Sequence, residues 1–160
     1  MDQAHLYNGS LTAEQFLFYE IRIAAKYYID GKTIEEAIEI IKKDNLFQYP
    51  TERQVSRLAR ACYKRLDALN NEQLVHELAF APSEIAKQIN LYAIMKYNRL
   101  VWEFMIQVIG EKYSDQDFNF SRKDLNAFFT RLQAQNDSVS AWSENTVNKI
   151  KSVLVRMLVE

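Results

Sequence analysis

The chain has 160 residues, of which 48% are hydrophobic, three are glycine and two are proline. This composition excludes a disordered chain and a β-sandwich or barrel, whose many tight turns require glycine and proline. Lysine and arginine number 20 against 21 aspartates and glutamates, so the net charge of −1 identifies no partner. The single cysteine, Cys62, excludes an internal disulfide framework and is typical of a reducing compartment. We therefore expect one cytoplasmic, all-α globule.

Helix caps and apolar periodicity predict seven helices, and the first four lie before Pro82. Gly31 ends the first helix, because glycine readily adopts the left-handed conformation that follows a helix. Capping-box sequences beginning at Thr33 and Thr51 open the second and third helices, and Asn70-Asn71 opens the fourth. These signals place the four helices at residues 12–30, 33–45, 51–69 and 71–81.

The segment 83–110 carries apolar residues on nearly all faces, which predicts one long central helix packed against several neighbours. Its longest unbroken apolar run, residues 91–95, is far shorter than the roughly 20 residues that cross a bilayer. The chain also opens without a basic-then-apolar signal segment, so we expect no membrane partner. Two further helices, at 121–135 and 143–160, complete a compact bundle of about seven helices.

The third and the last predicted helices resemble each other when the sequence is shifted by 92 positions. The shift aligns three pairs of residues at helical spacing: Thr51 with Ser143, Val55 with Val147, and Leu66 with Leu158. Such a match arises either from generic amphipathic-helix patterning or from two copies of one structural unit. We interpret the chain as one globule with helix-turn-helix-like units at residues 1–70 and 111–160, joined by connecting and central helices at 71–110.

Residues that support catalysis or bind metal ions are sparse in this sequence. His5 and His76, the only histidines, lie far apart and lack spaced cysteine or carboxylate partners, so we expect no zinc site. No glycine-rich phosphate loop occurs, and Cys62 lies among apolar residues, where we expect it in the core. We therefore predict a protein that is not an enzyme and that uses no cofactor and no small-molecule substrate.

Four cations of the third predicted helix, Arg53, Arg57, Arg60 and Lys64, are spaced by four, three and four residues. This spacing places them along one stripe of the helix. The stripe favours a polyanionic partner, because like charges repel unless an anion is near. The alternative is a solvated basic face that pairs with the acidic second helix. A short helix, a turn and a longer basic helix are also the layout of a helix-turn-helix, whose second helix enters the major groove.

In a helix-turn-helix, the first residues of the second helix meet base edges, where arginine pairs with guanine and glutamine with adenine. The third helix therefore supplies candidate base contacts at Thr51, Arg53, Gln54 and Arg57. Its candidate phosphate contacts are Arg57, Arg60 and Lys64. The last helix supplies a weaker, modestly basic set of candidate DNA contacts: Asn145, Asn148, Lys149 and Lys151.

Aromatic residues are expected to belong mainly to the core. Trp142 lies immediately before the predicted cap of the last helix, where a large apolar residue can anchor the helix start. We therefore expect its side chain to be buried. Four further aromatic residues are also expected in the core, because aromatic residues at helical spacing usually pack inward: Tyr27, Tyr28, Trp102 and Phe104.

Several segments resemble the BrxA family of BREX bacteriophage-exclusion systems. They are Tyr7-Asn8-Gly9-Ser10, Asp44-Asn45-Leu46-Phe47, Arg65-Leu66 and the run from Ala141 to Ile150. The Trp-Ser-x-x-Thr part of the last run is the most specific, and the resemblance extends over nearly the whole chain. It implies a small, mainly helical, non-enzymatic protein that binds double-stranded DNA through helix-turn-helix-like units at both ends and acts in defence against phage.

The resemblance has one departure, at the end of the chain. Members of the family usually continue past the last helix with a glycine-containing turn and further residues that would form a wing, whereas this sequence ends at Leu158-Val159-Glu160. We expect either a wingless C-terminal unit or final strands outside this sequence.

Two functional hypotheses follow from the sequence. The leading one is a double-stranded DNA-binding accessory protein of a phage-defence system, which also meets other defence subunits. The competing one is a helical adaptor that docks on a larger defence subunit without touching nucleic acid. The net charge of −1 favours the adaptor, whereas the basic stripe favours the DNA-binding protein.

Overall fold

Helices form nearly all of the secondary structure in the computed structural model, which describes residues 16–117 and 119–159. No strand occurs among these residues, and the predicted all-α class is confirmed. The helices are α1 (Phe18–Ile29), α2 (Ile34–Lys43), α3 (Glu52–Leu69), α4 (Glu72–Phe80), α5 (Ser83–Tyr97), α6 (Arg99–Phe104), a π-helix (Met105–Gly110), α7 (Glu111–Ser114), α8 (Arg122–Gln135), α9 (Asp137–Ser140) and α10 (Glu144–Val159).

The starts of α2 and α3 follow from side-chain caps. The hydroxyl of Thr33 accepts a hydrogen bond from the Glu36 amide, and the Glu36 carboxylate accepts one from the Thr33 amide, both at 3.2 Å. This capping box satisfies amides that the first helical turn leaves without partners. The Thr51 hydroxyl accepts from the Gln54 amide at 3.2 Å and opens α3 in the same way. The end of α1 also follows the prediction, since Gly31 adopts a φ of 77°.

The predicted single helix over 83–110 is wrong. Asn98 has extended backbone after α5, and its side-chain oxygen accepts from the amides of Leu100 and Val101 at 3.0 and 3.3 Å. An asparagine side chain competes in this way with the helical backbone bonds, so it ends one helix and caps the next. The following residues widen into the π-helix before α7. For these reasons the described residues contain more helical segments than the seven predicted.

Residues 16–97 form one contact unit, which we call the first unit. Its core lies among α1, α3, α4 and α5, and α2 packs on α3. Leu58, Cys62 and Leu66 of α3 are all buried in this core, and the predicted burial of Cys62 is confirmed. Removing such apolar surface from water stabilises the unit by about 25 cal/mol for each Å².

A buried polar contact fixes the start of α1. The carbonyl oxygen of Phe16 accepts hydrogen bonds from the Arg65 guanidinium and the Asn90 amide, both at 2.8 Å. Arg65 and Asn90 are almost completely buried. Leu17, the next residue, adopts a left-handed backbone with a φ of 53°, which costs about 1–2 kcal/mol in a residue with a side chain. The two hydrogen bonds hold the chain in this conformation at the point where α1 begins.

Residues 98–159 form the second unit. The core of the second unit contains an aromatic cluster. The rings of Phe104 and Phe128 meet edge to face with centroids 5.6 Å apart, and those of Phe128 and Phe129 with centroids 5.5 Å apart. Edge-to-face contacts are a favourable geometry for aromatic pairs. Ile150 of α10 is also buried.

The aromatic residues that were expected in the core differ in how far they are buried. Phe104 is buried, as predicted. Trp102 is 40% exposed, and its predicted burial is wrong. Its helix, α6, has apolar residues on two faces, and only one of these faces packs inward. Tyr27, Tyr28 and Trp142 are half-buried. Trp142 lies directly before the Ser143 cap of α10, as predicted, and its predicted burial is met only in part.

Candidate nucleic-acid interface

The four predicted cations of α3 lie on one exposed face. The opposite face of the helix is buried in the core of the first unit through apolar side chains that include Val55 and Leu58. This burial fixes the rotation of α3 and leaves its basic face toward solvent. We call the exposed cations on this face the α3 stripe: Arg53, Arg57, Arg60 and Lys64.

Part of the α3 stripe has neighbours that bear on its charge. Arg60 lies 3.9 Å from the carboxylate of Glu35 on α2, and the two side chains are 52% and 69% exposed. An exposed ion pair contributes little free energy, about 0–1 kcal/mol, so Glu35 leaves Arg60 available to a stronger anion. Arg57, a second member of the stripe, acts electrostatically on Tyr49. Burial raises the pKa of the Tyr49 hydroxyl and nearby Glu20 raises it further, whereas the positive charge of Arg57 lowers it. The predicted alternative, pairing with the acidic second helix, is thus observed at Arg60.

The N-terminal end of α3 holds two of the predicted base contacts, Thr51 and Gln54. The Thr51 hydroxyl accepts from the Gln54 amide and donates to the Gln54 side-chain oxygen at 3.2 Å. Gln54 is half-buried, whereas Arg53 is exposed. These contacts use the polar groups of both side chains within the helix cap, and Arg53 takes no part in them.

The connection between α2 and α3 spans residues 44–51. Asn45 and Gln48 in it have left-handed backbone, with φ angles of 46° and 58°. The turn of a helix-turn-helix usually has three or four residues. The α2–α3 pair therefore differs from the predicted helix-turn-helix in the length of its connection.

The exposed face of α10 is polar and modestly basic. The predicted contacts Asn145, Asn148 and Lys149 are all exposed. Sequence reasoning missed two exposed residues that continue this face, Ser152 and Arg156, although their spacing of seven and eleven residues from Asn145 would have revealed them. The connection between α9 and α10 spans residues 141–143, and Ser143 caps α10 by accepting from the Thr146 amide at 3.1 Å.

Lys151, the fourth predicted contact of α10, lies apart from that exposed face. Its ammonium group donates to the side-chain oxygen of Asn126 on α8 at 2.9 Å. The same group lies 5.4 Å from the centroid of the Phe129 ring, within the distance of a cation–π interaction. Lys151 thus connects α10 to α8, and a phosphate would have to compete with these contacts.

The match between α3 and α10 extends to their burial patterns. Val55 and Val147, which the 92-residue shift aligns, are both buried, and both helices begin at a hydroxyl cap. The preceding helices differ, because α2 has ten residues and α9 has four. The similarity thus includes the two basic helices themselves, whereas the helices before them have different lengths.

A cluster of charged side chains surrounds Lys112 in the second unit. The Lys112 ammonium group lies 3.1 Å from Asp117 and 3.3 Å from Asp124, and it donates to the Asn119 carbonyl at 2.8 Å. These contacts raise the pKa of Lys112 and, with backbone hydrogen bonds as the largest cause, lower the pKa of both aspartates. A cavity of about 250 Å³ borders the cluster. All three charges are used to hold the segment between α7 and α8.

Among residues 16–117 and 119–159, no group of three or more histidine, cysteine, aspartate and glutamate side chains is arranged to hold a metal ion. Within the same residues, no helix combines the length and the apolar character needed to cross a membrane.

Comparisons with known proteins identify the family of the chain. A family model described as BrxA matches residues 5–160. A BREX protein BrxA from Bacillus cereus (strain H3081.97) is 31% identical over 160 residues, which cover all of this chain and 80% of that protein. The crystal structure of an uncharacterized protein from Magnetospirillum magneticum aligns with a TM-score of 0.79 at 19% identity, covers 96% of this chain and 77% of that one, and shows a similar fold. The resemblance found in the sequence is confirmed: the chain belongs to the BrxA family.

Proposed function

We propose that this BrxA-family chain is a non-enzymatic, double-stranded DNA-binding component of a BREX phage-defence system. Membership of the family supports the role in BREX defence. The α3 stripe is the observation that carries the DNA-binding part. Four exposed cations share one helix face, although the chain as a whole has a net charge of −1.

The chemistry of the stripe supports a phosphate-rich partner. Cations at neighbouring positions of one helix face destabilise the free helix by a few tenths of a kcal/mol for each pair. Phosphates that bind there remove this repulsion and release the counterions that surround DNA, which is the main source of affinity in protein–DNA complexes. Glu35 neutralises Arg60 only in part, through a contact of 3.9 Å between exposed groups.

The polar face of α10 supports a second contact surface in the other unit. Asparagine can read adenine through two hydrogen bonds, and lysine can contact guanine or phosphate. Asn145, Asn148 and Lys149 are exposed at spacings that place them on one face. The connection of residues 141–143 before α10 also has the length that is usual in a helix-turn-helix.

The non-enzymatic part of the proposal rests on what the charged and nucleophilic groups do. Cys62 is buried in the core of the first unit. Lys112 forms ion pairs with both Asp117 and Asp124 in the second unit. These groups have structural uses that account for their positions.

Fluorescence anisotropy with labelled duplex DNA tests the proposal. We expect the Arg57→Ala/Arg60→Ala double variant to bind all duplexes more weakly and to lower the slope of log affinity against log salt by roughly 2, about 0.9 for each phosphate contact. The Arg122→Ala/Lys123→Ala variant is the matched control, because it removes two exposed cations from α8. A thermal melt shows that the variants are folded. Equal affinity and equal salt slope in both variants and the wild type would contradict the role of the stripe.

A second candidate function, the adaptor, is favoured by exposed apolar side chains on the helical run from α6 to α7. Trp102, Ile106 and Tyr113 are 40%, 53% and 76% exposed, and the four-residue spacing of Trp102 and Ile106 places these two on one side of the run. An exposed apolar patch of this kind often marks a protein contact. Co-expression of the Ile106→Asp variant with the other subunits of the same BREX system tests this function. Loss of co-purification, with DNA binding retained, would support the adaptor.

A further inference from the structure

We propose that α3 lies along one phosphodiester strand and contacts its phosphates, instead of entering a groove to read bases. This inference rests on the proposed DNA-binding function and specifies how the first unit would perform it. It reassigns Arg53 from a base contact to a phosphate contact and Gln54 from a base contact to a helix cap. Any sequence preference of the protein would then arise outside α3.

The spacing of the α3 stripe matches the spacing of phosphates on one strand. With a rise of 1.5 Å per residue, the four cations are separated along the helix by about 6, 4.5 and 6 Å, a total of about 16.5 Å. At 100° per residue they lie within about 60° of one another around the helix axis. Successive phosphates of one strand are about 7 Å apart, since each step rises 3.4 Å and turns by about a tenth of a revolution. The stripe can therefore contact about three consecutive phosphates.

The flanks of α3 carry no cations to contact a second strand. A helix in the major groove, which is about 12 Å wide, has a phosphate strand on each side and needs contacts on both flanks. The flanks of α3 beside Arg53 hold Glu52 and Gln54, one acidic and one neutral. The remaining cation of the helix, Arg65, is buried and donates to the Phe16 carbonyl. The positive charge of α3 is thus confined to a single row.

The groups at the two ends of the α3 stripe limit its contact to a short stretch of the DNA backbone. At the N-terminal end, Thr51 and Gln54 are hydrogen-bonded to each other, which leaves them poorly placed to read a base. At the other end, Asp67 accepts a hydrogen bond of 2.7 Å from the Tyr28 hydroxyl. Asp67 lies fourteen residues after Arg53 and therefore close to the line of the stripe. Its negative charge would repel the next phosphate and limit the contact to the segment from Arg53 to Lys64.

A comparison of Arg53→Lys with Arg53→Ala tests the inference. Lysine keeps the charge that a phosphate needs but loses the two-pronged contact with guanine. Binding to a panel of duplexes of different sequence is measured by anisotropy over a salt series. We expect Arg53→Ala to weaken every duplex by the same factor and to lower the salt slope by about 0.9, and Arg53→Lys to bind within about twofold of the wild type. A change of about tenfold or more in the preference among duplexes, in either variant, would overturn the inference.

Single-stranded DNA of one panel sequence gives a second, independent readout. If α3 follows one strand, Arg57→Ala should weaken binding to the single strand and to the duplex by similar factors, within about twofold. A loss confined to the duplex would indicate a contact that needs both strands and would overturn the inference. The proposed function can fail separately. If the wild type binds duplex DNA but no substitution in the stripe changes its affinity, the function stands and this inference falls; if the wild type binds no duplex, both fall.

Discussion

Replacing Asn98 with alanine should destabilise the second unit by about 2–3 kcal/mol. The Asn98 side chain accepts hydrogen bonds from the Leu100 and Val101 amides at 3.0 and 3.3 Å, in a buried environment. Loss of an asparagine cap costs about 0.5–2 kcal/mol, and a buried amide without a partner costs about 1–3 kcal/mol. The higher helix propensity of alanine returns about 0.5 kcal/mol. The expected loss therefore lies at or slightly above the upper end of the range for caps, because the amides left without a partner are buried.

Urea unfolding followed by circular dichroism measures this change. In a thermal melt of a protein of this length, the same loss lowers the melting temperature by roughly 5–10 °C. Asn98→Ser is the matched variant, because serine is also a good N-cap and should recover part of the loss. The opposite outcome is a variant in which α5 and α6 merge into one helix. A change in the free energy of unfolding below about 0.5 kcal/mol would indicate that merger and refute the reasoning that the Asn98 side chain imposes the break.

Three further predictions concern charge and packing. Glu35→Gln should raise the affinity for duplex DNA by about two- to fivefold at low salt. It removes an anion that competes with DNA for Arg60, at a contact worth at most about 1 kcal/mol. Equal affinities of Glu35→Gln and the control Glu39→Gln in the same anisotropy titration would contradict this prediction. Trp142→Ala should cost about 1–2 kcal/mol in urea unfolding, less than the 3–5 kcal/mol of a fully buried tryptophan, since Trp142 is half-buried; a loss above about 3 kcal/mol would show that the side chain packs more deeply. Lys112→Met should destabilise the second unit at pH 7 but progressively less below about pH 4. Backbone hydrogen bonds are the largest cause of the lowered pKa of Asp117 and Asp124 and remain in the variant, so the variant loses only the part that Lys112 causes. That part gives stability that is present above the unfolded pKa of the aspartates and is lost as pH falls through their folded pKa; a difference between wild type and variant that is unchanged from pH 7 to pH 3 in urea titrations would exclude this linkage.

Features that depend on neighbouring residues could be predicted from the sequence. The caps at Thr33, Thr51 and Ser143 are interactions over three residues, and the sequence pattern contains both partners. The α3 stripe is equally local, because helical periodicity alone decides which side chains share a face. Membership of the BrxA family was also visible in short segments of sequence, of which the run at residues 141–150 is the most specific.

Features that depend on contacts between helices could not be predicted. The Arg60 contact with Glu35 and the Lys151 contact with Asn126 both join residues about 25 positions apart. The break at Asn98 was hidden within a segment that carries apolar residues on nearly all faces, where an asparagine could equally have faced a neighbour within one continuous helix. Its burial, together with the two amides that it caps, decides the outcome. Trp102 was misplaced because periodicity identifies an apolar face but does not say whether another element covers it.

The shared acceptor at Phe16 constrains the order in which the first unit can fold. Its two donors lie 49 and 74 residues further along the chain, on α3 and α5. The left-handed turn at Leu17 therefore gains its support only after these two helices have come together, and such distant contacts form late because the intervening chain must first be closed into loops. Conversely, local opening of the first turn of α1 would release two buried donors at once. We therefore expect this turn to open together with its neighbours on α3 and α5, although helix ends usually fray independently.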